Sequence, residues 1–267
     1  RIASEHLPPG VFNVVIGDGS TGQFLVEHPA ADMVALTGSV RAGIAVASVA
    51  ARQLKRVHLE LGGKAPAIVF ADADLDAAAK GIAEAGYFNA GQDCTAATRV
   101  LVHKDVEEEF VNRLVARAEG TATGKPDDPT SFYGPLNNVR HLAKVQAVID
   151  DLPAHVSVIT GGRRVGTEGY FFAPTVLAGA RQNDDVVQQE IFGPVLTVQN
   201  FESDGEATEL ANGIDYALAA SVWTSDHRRA VTLSNDLDFG VIWINAHMVL
   251  TAEMPHGGFK KSGYGKD

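Results

Sequence analysis

The 267-residue sequence predicts an α/β fold, and three observations carry that expectation. Short apolar runs alternate with longer amphipathic or alanine-rich stretches along the whole chain, the order that builds parallel strands joined by crossover helices. Glycine-containing turns such as Thr37-Gly38-Ser39 stand where strands give way to helices. With 45% hydrophobic and 21% charged residues, the chain has the balance of a globular protein with enough apolar material for a sizeable core.

Taken in order, residues 1–6 read as the end of a helix stopped by Leu7-Pro8-Pro9-Gly10. Residues 11–16 read as a strand, 22–28 as a short helix, 33–36 as a buried strand, and 40–54 as an alanine- and valine-rich crossover helix. A strand over 57–61 follows. Gly62-Gly63 reads as a hinge between two α/β lobes. Beyond it come a strand over 67–70, a helix over 74–88 capped by Asp72 or Asp74, and a loop carrying Cys94. A strand over 99–103 leads into a helix whose Asp105-Val106-Glu107-Glu108 start has capping-box form. Its Val106, Phe110, Leu114 and Val115 share one apolar face. Helices over 137–152, 205–212 and 226–235 then alternate with strands over 156–160, 195–201, 218–224 and 241–245.

The charge excludes some functions. Against 33 acidic side chains stand 22 basic ones, a formal net charge of −11, whereas nucleic-acid binding calls for a basic face. The single cysteine excludes an intramolecular disulfide. No apolar run reaches the roughly 18 residues of a membrane helix, and the first six residues resemble no signal peptide, so a cytoplasmic protein without a membrane partner is expected. The chain starts without Met and stops abruptly at Gly265-Lys266-Asp267, which leads to the expectation of a partial sequence. Its nine histidines show no metal-ligand spacing; His58 and His256 read as packing or hydrogen-bonding residues.

Several residues are candidates for chemistry. Gly17-Asp18-Gly19-Ser20-Thr21-Gly22 matches the dinucleotide pattern G-x-G-x-x-G. It reads equally as a glycine-rich connection, because the acidic residue expected about twenty positions on is missing and Asp32 precedes its strand. In Gly38-Ser39-Val40-Arg41-Ala42-Gly43, a hydroxyl and free N–H groups at a helix start favour a phosphate. A lone cysteine is more often a small buried residue than a nucleophile. Cys94, however, lies in the polar loop Asn89-Ala90-Gly91-Gln92-Asp93-Cys94-Thr95, which suits a partly exposed thiol. Glu60, between Leu59 and Leu61, is either an outward-facing strand residue or a base whose pKa its apolar neighbours raise. Glu190 by itself reads as a solvated loop acid.

Together these segments resemble the aldehyde dehydrogenase superfamily. The resemblance rests on Leu59-Glu60-Leu61-Gly62-Gly63-Lys64, Asn89-x-Gly91-Gln92-x-Cys94, Thr37-Gly38-Ser39-x-x-x-Gly43, Glu190-Ile191-Phe192-Gly193-Pro194-Val195 and the segment from Pro255 to Gly263. They occur in family order across the chain, with Cys94 34 residues after Glu60. Within the superfamily, the segments from Gly91 to Ala96 and from Glu253 to Gly258 look most like γ-aminobutyraldehyde dehydrogenases.

The resemblance implies that residues 1–62 are the C-terminal part of a dinucleotide-binding parallel-sheet domain, residues 63–245 an α/β catalytic domain, and residues 246–267 a truncated return segment. It implies Cys94 as the nucleophile that forms a thiohemiacetal and then a thioester, and Glu60 as the base that activates the hydrolytic water. The Cys94 N–H would be one half of an oxyanion hole. Glu190 would bind the nicotinamide ribose with Phe192 beside the ring, Gly38 and Ser39 would sit at the pyrophosphate, Gly19 near the adenosine half and Leu61 against the cofactor.

NAD is the implied cofactor, with NADP not excluded. The implied substrate is a small aldehyde such as 4-aminobutanal, its ammonium facing Trp223 or an unmatched acid, and the implied assembly is a homodimer or homotetramer. The family's second oxyanion donor and its ribose-binding lysine fall outside this sequence, so a catalytically inactive fragment or structural relative of an aldehyde dehydrogenase is the alternative. Transfer of the acyl group to coenzyme A is disfavoured by Glu60, because a water-activating base is what hydrolysis needs.

Overall fold

The computed structural model describes residues 2–266. Helix α1 (Ile2–His6) is followed by an extended stretch, then α2 (Gly19–Glu27), β1 (Met33–Thr37), α3 (Val40–Ala51) and β2 (Arg56–Glu60). Both longer helices start on a side-chain cap: Asp18 Oδ1 accepts from the Ser20 N–H at 2.9 Å, and Ser39 Oγ from the Ala42 N–H at 3.3 Å. β1 and β2 pair in parallel through the α3 crossover, with Thr37 opposite Glu60.

The larger part contains β3 (Ala65–Val69), α4 (Leu75–Tyr87), β4 (Ala97–His103), α5 (Glu107–Gly120), α6 (Val139–Asp150), β5 (Ser157–Thr160), β6 (Thr175–Ala178), α7 (Asp185–Gln188), β7 (Val195–Phe201), α8 (Asp204–Asn212), β8 (Tyr216–Ala217), β9 (Ala219–Trp223), α9 (His227–Asp236) and β10 (Val241–Ile244). Seven of these strands form one sheet in the order β10-β9-β3-β4-β7-β6-β5, parallel except at the β5–β6 edge pair. β3 and β9 are buried along their whole length, as central strands covered on both faces must be. On one face α4, α5 and α6 pack around Ile82, Phe110, Leu114, Val145 and Leu196. On the other, α8 and α9 enclose Ile68, Phe201, Ala211, Val222 and Leu233. The apolar stripe expected on α5 is realised, with Phe110 and Leu114 fully buried and Val106 and Val115 at its margin.

The chain then returns through β11 (Phe259–Lys260) and β12 (Gly263–Tyr264). β11 pairs antiparallel with β8, and β12 with β2, placing Gly263 opposite Glu60. Ser262, wholly buried, fastens the return: its hydroxyl donates to the Gly62 carbonyl at 2.7 Å and accepts from the Ala217 N–H at 3.0 Å. The small β1-β2-β12 sheet is thereby tied to β8 beside Glu60.

Four local expectations are corrected. Residues 11–16 form no strand; Val11, Phe12, Val14, Val15 and Ile16 are 60–92% exposed. They have a strand's composition, but a ladder needs a neighbour and the described residues offer none. α3 ends at Ala51 because Leu54, at φ 54°, leaves the helical region. Asp74 alone caps α4, through the Ala77 N–H at 3.0 Å, while Asp72 accepts from Thr224, Ser225, the Asp226 N–H and Arg229. The capping box does not form: α5 starts at Glu107 without a side-chain cap, and the Asp105 N–H donates to His103 Nδ1 at 3.3 Å.

Candidate active site

A cavity of about 460 Å³ gathers side chains from segments far apart in sequence. Thr37, Gly38 and Ser39 come from the turn into α3; Glu60, Leu61 and Gly62 from the end of β2; Gln92, Asp93 and Cys94 from the loop after α4. His141 and Lys144 of α6, with Glu190 and Phe192 before β7, complete the wall. The structure thus brings together Gly38, Ser39, Glu60, Leu61, Cys94, Glu190 and Phe192. Gly19 is not among them; it is exposed on the first turn of α2.

The cysteine loop is held in an unusual backbone conformation. Asn89, Ala90 and Gly91 all have left-handed φ, at 51°, 59° and 67°. For alanine this costs about 1–2 kcal/mol, and the surroundings compensate. Gln92 Oε1 accepts from the Asn137 N–H at 2.8 Å, while its amide donates to the Asn89 carbonyl at 3.0 Å. Asp93 Oδ1 accepts from both the Thr95 N–H and the Thr95 hydroxyl at 2.7 Å.

A buried relay of hydrogen bonds backs the loop. The Thr95 carbonyl can only accept, so His247 Nε2, 2.7 Å away, carries the proton. His247 Nδ1 then accepts from the Ser221 hydroxyl at 2.8 Å, and Ser221 Oγ from the Trp223 indole N–H at 3.1 Å. Burial holds the His247 pKa down to about 4, so the ring is neutral, and it leans on Trp243 at 4.7 Å between centroids.

Three carboxylates surround the thiol. Cys94 is partly buried, and burial followed by the charge of Asp93 pushes its pKa up to about 11; Glu190 and Glu60 act in the same direction. Glu190 is not a solvated loop acid. Its Oε1 accepts from the Gly63 N–H at 2.9 Å, and burial raises its pKa against the opposing pull of that N–H and of Lys144 and Lys64. Glu60 is the inward alternative, 7% exposed. His58 Nε2 lies 3.5 Å from its Oε1, and His256 Nε2 lies 3.9 Å from its Oε2.

Gly62 and Gly63 are buried packing positions, not a free hinge. A Cβ on Gly62 would stand 2.3 Å from Glu190 Oε2. The cavity is lined both by Ser39, behind which the first turn of α3 presents a helix N-terminus, and by the Glu190 carboxylate. That donor set suits a dinucleotide, the helix end for phosphate and the carboxylate for sugar hydroxyls.

Comparison with known proteins shows the family. A family model described as "Aldehyde dehydrogenase family" matches residues 1–267. The chain belongs to the aldehyde dehydrogenase family. It is 42% identical over 265 residues to a betaine aldehyde dehydrogenase of Rhizobium leguminosarum bv. trifolii, covering 98% of this chain and 54% of that protein. A solved NAD-dependent aldehyde dehydrogenase from Sinorhizobium meliloti superposes with a TM-score of 0.96 at 43% identity, over 98% of this chain and 52% of that one. A Staphylococcus aureus betaine aldehyde dehydrogenase solved in complex with NAD+ gives 0.95 at 36% identity, over 98% and 53%. The chain spans about half the length of the relatives it matches.

Within this family member, the structure adds residues that the sequence reading missed. Lys64 is fully buried and its Nζ makes no hydrogen bond to the described residues; burial, with the Arg99 guanidinium, draws its pKa down to about 7 while Glu190 opposes. His141 Nε2 donates to the Phe192 carbonyl at 2.6 Å and meets that ring edge-on at 6.1 Å. The i, i+3 spacing of His141 and Lys144 on one helix was the available signal. Trp223 does not face an aldehyde: it is 4% exposed, packed in the core and committed to Ser221. Trp243 instead lines a second cavity of about 590 Å³ with Val249, Leu250, Met254 and His256. Among the described residues no helix is long and apolar enough to cross a membrane.

Proposed function

We propose that this chain supplies the catalytic half of an NAD-dependent aldehyde dehydrogenase that oxidises a small aldehyde carrying a cationic nitrogen, of the 4-aminobutanal or betaine aldehyde kind. The observation that carries the reading is the meeting of Cys94 and Glu60 in one cavity with Glu190 and the N-terminus of α3. Solved family members contain NAD+, and Gly38, Ser39, Leu61, Glu190 and Phe192 are the residues here that would hold it, with Gly19 toward the adenosine side. Residues 1–62 are read as the end of the cofactor domain, 63–245 as the catalytic domain and 246–267 as the return segment. The remainder of the cofactor site belongs to the half of the relatives that this chain does not span, and so does the choice between NAD and NADP.

In this reading Cys94 Sγ attacks the aldehyde carbon and its proton leaves to solvent. The Cys94 N–H, which no backbone carbonyl of the described residues engages, donates to the resulting oxyanion. NAD, when bound, supplies the hydride acceptor that converts the thiohemiacetal to a thioester. Glu60 takes a proton from water as the water oxygen attacks the thioester carbon, and Cys94 leaves as thiolate. Burial, reinforced by the Asp93 charge, raises the Cys94 pKa to about 11 and keeps the resting thiol protonated.

The same carboxylates favour a cationic substrate, and Trp243 offers an aromatic face in the second cavity. Relatives named betaine aldehyde dehydrogenases point to that class of aldehyde, and the γ-aminobutyraldehyde-like segments point to a primary ammonium. The parent is read as a soluble, cytoplasmic homo-oligomer. The test is kcat/KM of the full-length protein for 4-aminobutanal, betaine aldehyde and butanal. A cationic aldehyde should exceed butanal at least about tenfold, the equivalent of roughly 1.4 kcal/mol. Equal values would reduce the reading to a generic aldehyde dehydrogenase.

A further inference from the structure

Glu60 stands between two imidazoles, one of which reaches a second cavity. Its carboxylate lines the cavity of Cys94, yet each oxygen faces a histidine, His58 from its own strand and His256 from the return segment. His256 also lines the second cavity and is a quarter exposed. Its Nδ1 is buried and makes no hydrogen bond to the described residues, which leaves Nε2 as the nitrogen that exchanges protons. Gly257 keeps this corner tight: a Cβ there would lie 2.9 Å from Glu60 Oε1 and 3.0 Å from the Lys266 stem, while Lys266 Nζ donates to the Gly257 carbonyl.

A base that takes a proton from water must lose it before the next turnover. Glu60 is 7% exposed, and its carboxylate opens onto the cavity it shares with Cys94, where the acyl group stands during hydrolysis. We propose that His256 accepts that proton, as a relay that returns Glu60 to the carboxylate and discharges the proton to water at its exposed edge, with His58 steadying the opposite oxygen. The proposal rests on the thioester reading above. The water O–H bond breaks toward Glu60 and its oxygen bonds the thioester carbon. The carbon–sulfur bond breaks with its electron pair on Cys94. The proton on Glu60 Oε2 then passes to neutral His256 Nε2, and the imidazolium releases it to water. The 3.9 Å separation needs only a small side-chain adjustment, and such contacts are commonly long before substrate is bound.

The test uses the full-length protein and p-nitrophenyl acetate, which acylates a reactive cysteine without NAD. Nitrophenolate release reports acylation, and loss of the acetyl group from Cys94, followed by mass spectrometry, reports deacylation. His256→Ala should keep the acylation burst and slow deacylation roughly 10–100-fold, and added imidazole should recover part of the rate. His256→Gln, which can hydrogen-bond but cannot accept the proton, should stay slow and unrescued; it also decides the matter if the alanine variant does not fold. Wild-type deacylation in His256→Gln, or indifference of His256→Ala to imidazole, overturns the relay. Absence of any Cys94-dependent burst in the wild type overturns the thioester reading itself, a result distinct from either of these.

Discussion

A Cβ built on Gly63 would lie 2.0 Å from the backbone carbonyl oxygen of Cys94. The segment leaving β2 therefore runs directly against the cysteine loop, and only a residue without a side chain fits. Gly63→Ala should push the Cys94 loop out of place, destabilise the fold by about 1–3 kcal/mol and remove most Cys94-dependent acylation. Gly22→Ala, in α2 with open space around it, should be neutral or stabilising by up to about 1 kcal/mol. Thermal unfolding and the acylation burst of both variants check the contrast; equal behaviour would remove the packing argument.

The raised pKa of Cys94 has a direct signature. Iodoacetamide labelling should climb with pH toward about 11, without a plateau near neutrality. Asp93→Asn removes a negative charge that opposes the thiolate, so the midpoint should move down. An unchanged midpoint would leave burial with the Glu190 and Glu60 charges as the causes. The 267-residue chain alone should label in the same way yet form no NADH from aldehyde and NAD.

His247 should make stability depend on acidity. Its folded pKa of about 4 lies below the ordinary 6.5, so the unfolded chain binds the proton first. The contribution is fully present above about pH 6.5 and is lost as pH falls toward 4, near 2 kcal/mol between about pH 7 and pH 5. Urea unfolding of the wild type and His247→Asn at those two pH values should differ by roughly that amount. An identical pH dependence would mean that folding does not depress the His247 pKa.

Glu190 offers a test of the cofactor side. Glu190→Gln keeps an oxygen for the Gly63 N–H but removes the charge, and NAD affinity measured by fluorescence titration should fall about tenfold, the worth of a charge-assisted hydrogen bond. Unchanged affinity would place the dinucleotide elsewhere.

Much of this was legible in the chain itself. Apolar periodicity located most longer helices and strands, because Phe110 and Leu114 or the run from Val195 to Phe201 bury a face that alternation reveals. Pairing was not legible. Residues 11–16 carry the same kind of signal and have no neighbour, whereas two-residue β8, β11 and β12 are too short to show a period and exist through their partners. At the site, local motifs exposed Cys94 and Glu60. His58 and His256 read as packing or hydrogen-bonding residues, and nothing local marked His247, because their significance is spatial: His247 reaches Thr95 across 152 positions. Trp223 was open to a substrate role for want of its burial, which only the fold supplies.

The central claim is that Cys94 carries the acyl group and Glu60 releases it. The direct measurement is rapid quench of the full-length wild type and Glu60→Gln with aldehyde and NAD, followed by mass spectrometry of the Cys94 peptide. The account predicts an NADH burst in both, with the acyl adduct accumulating on Cys94 only in Glu60→Gln, where hydrolysis slows by roughly 100-fold or more. An adduct on another residue, or loss of the burst in Glu60→Gln, would contradict it.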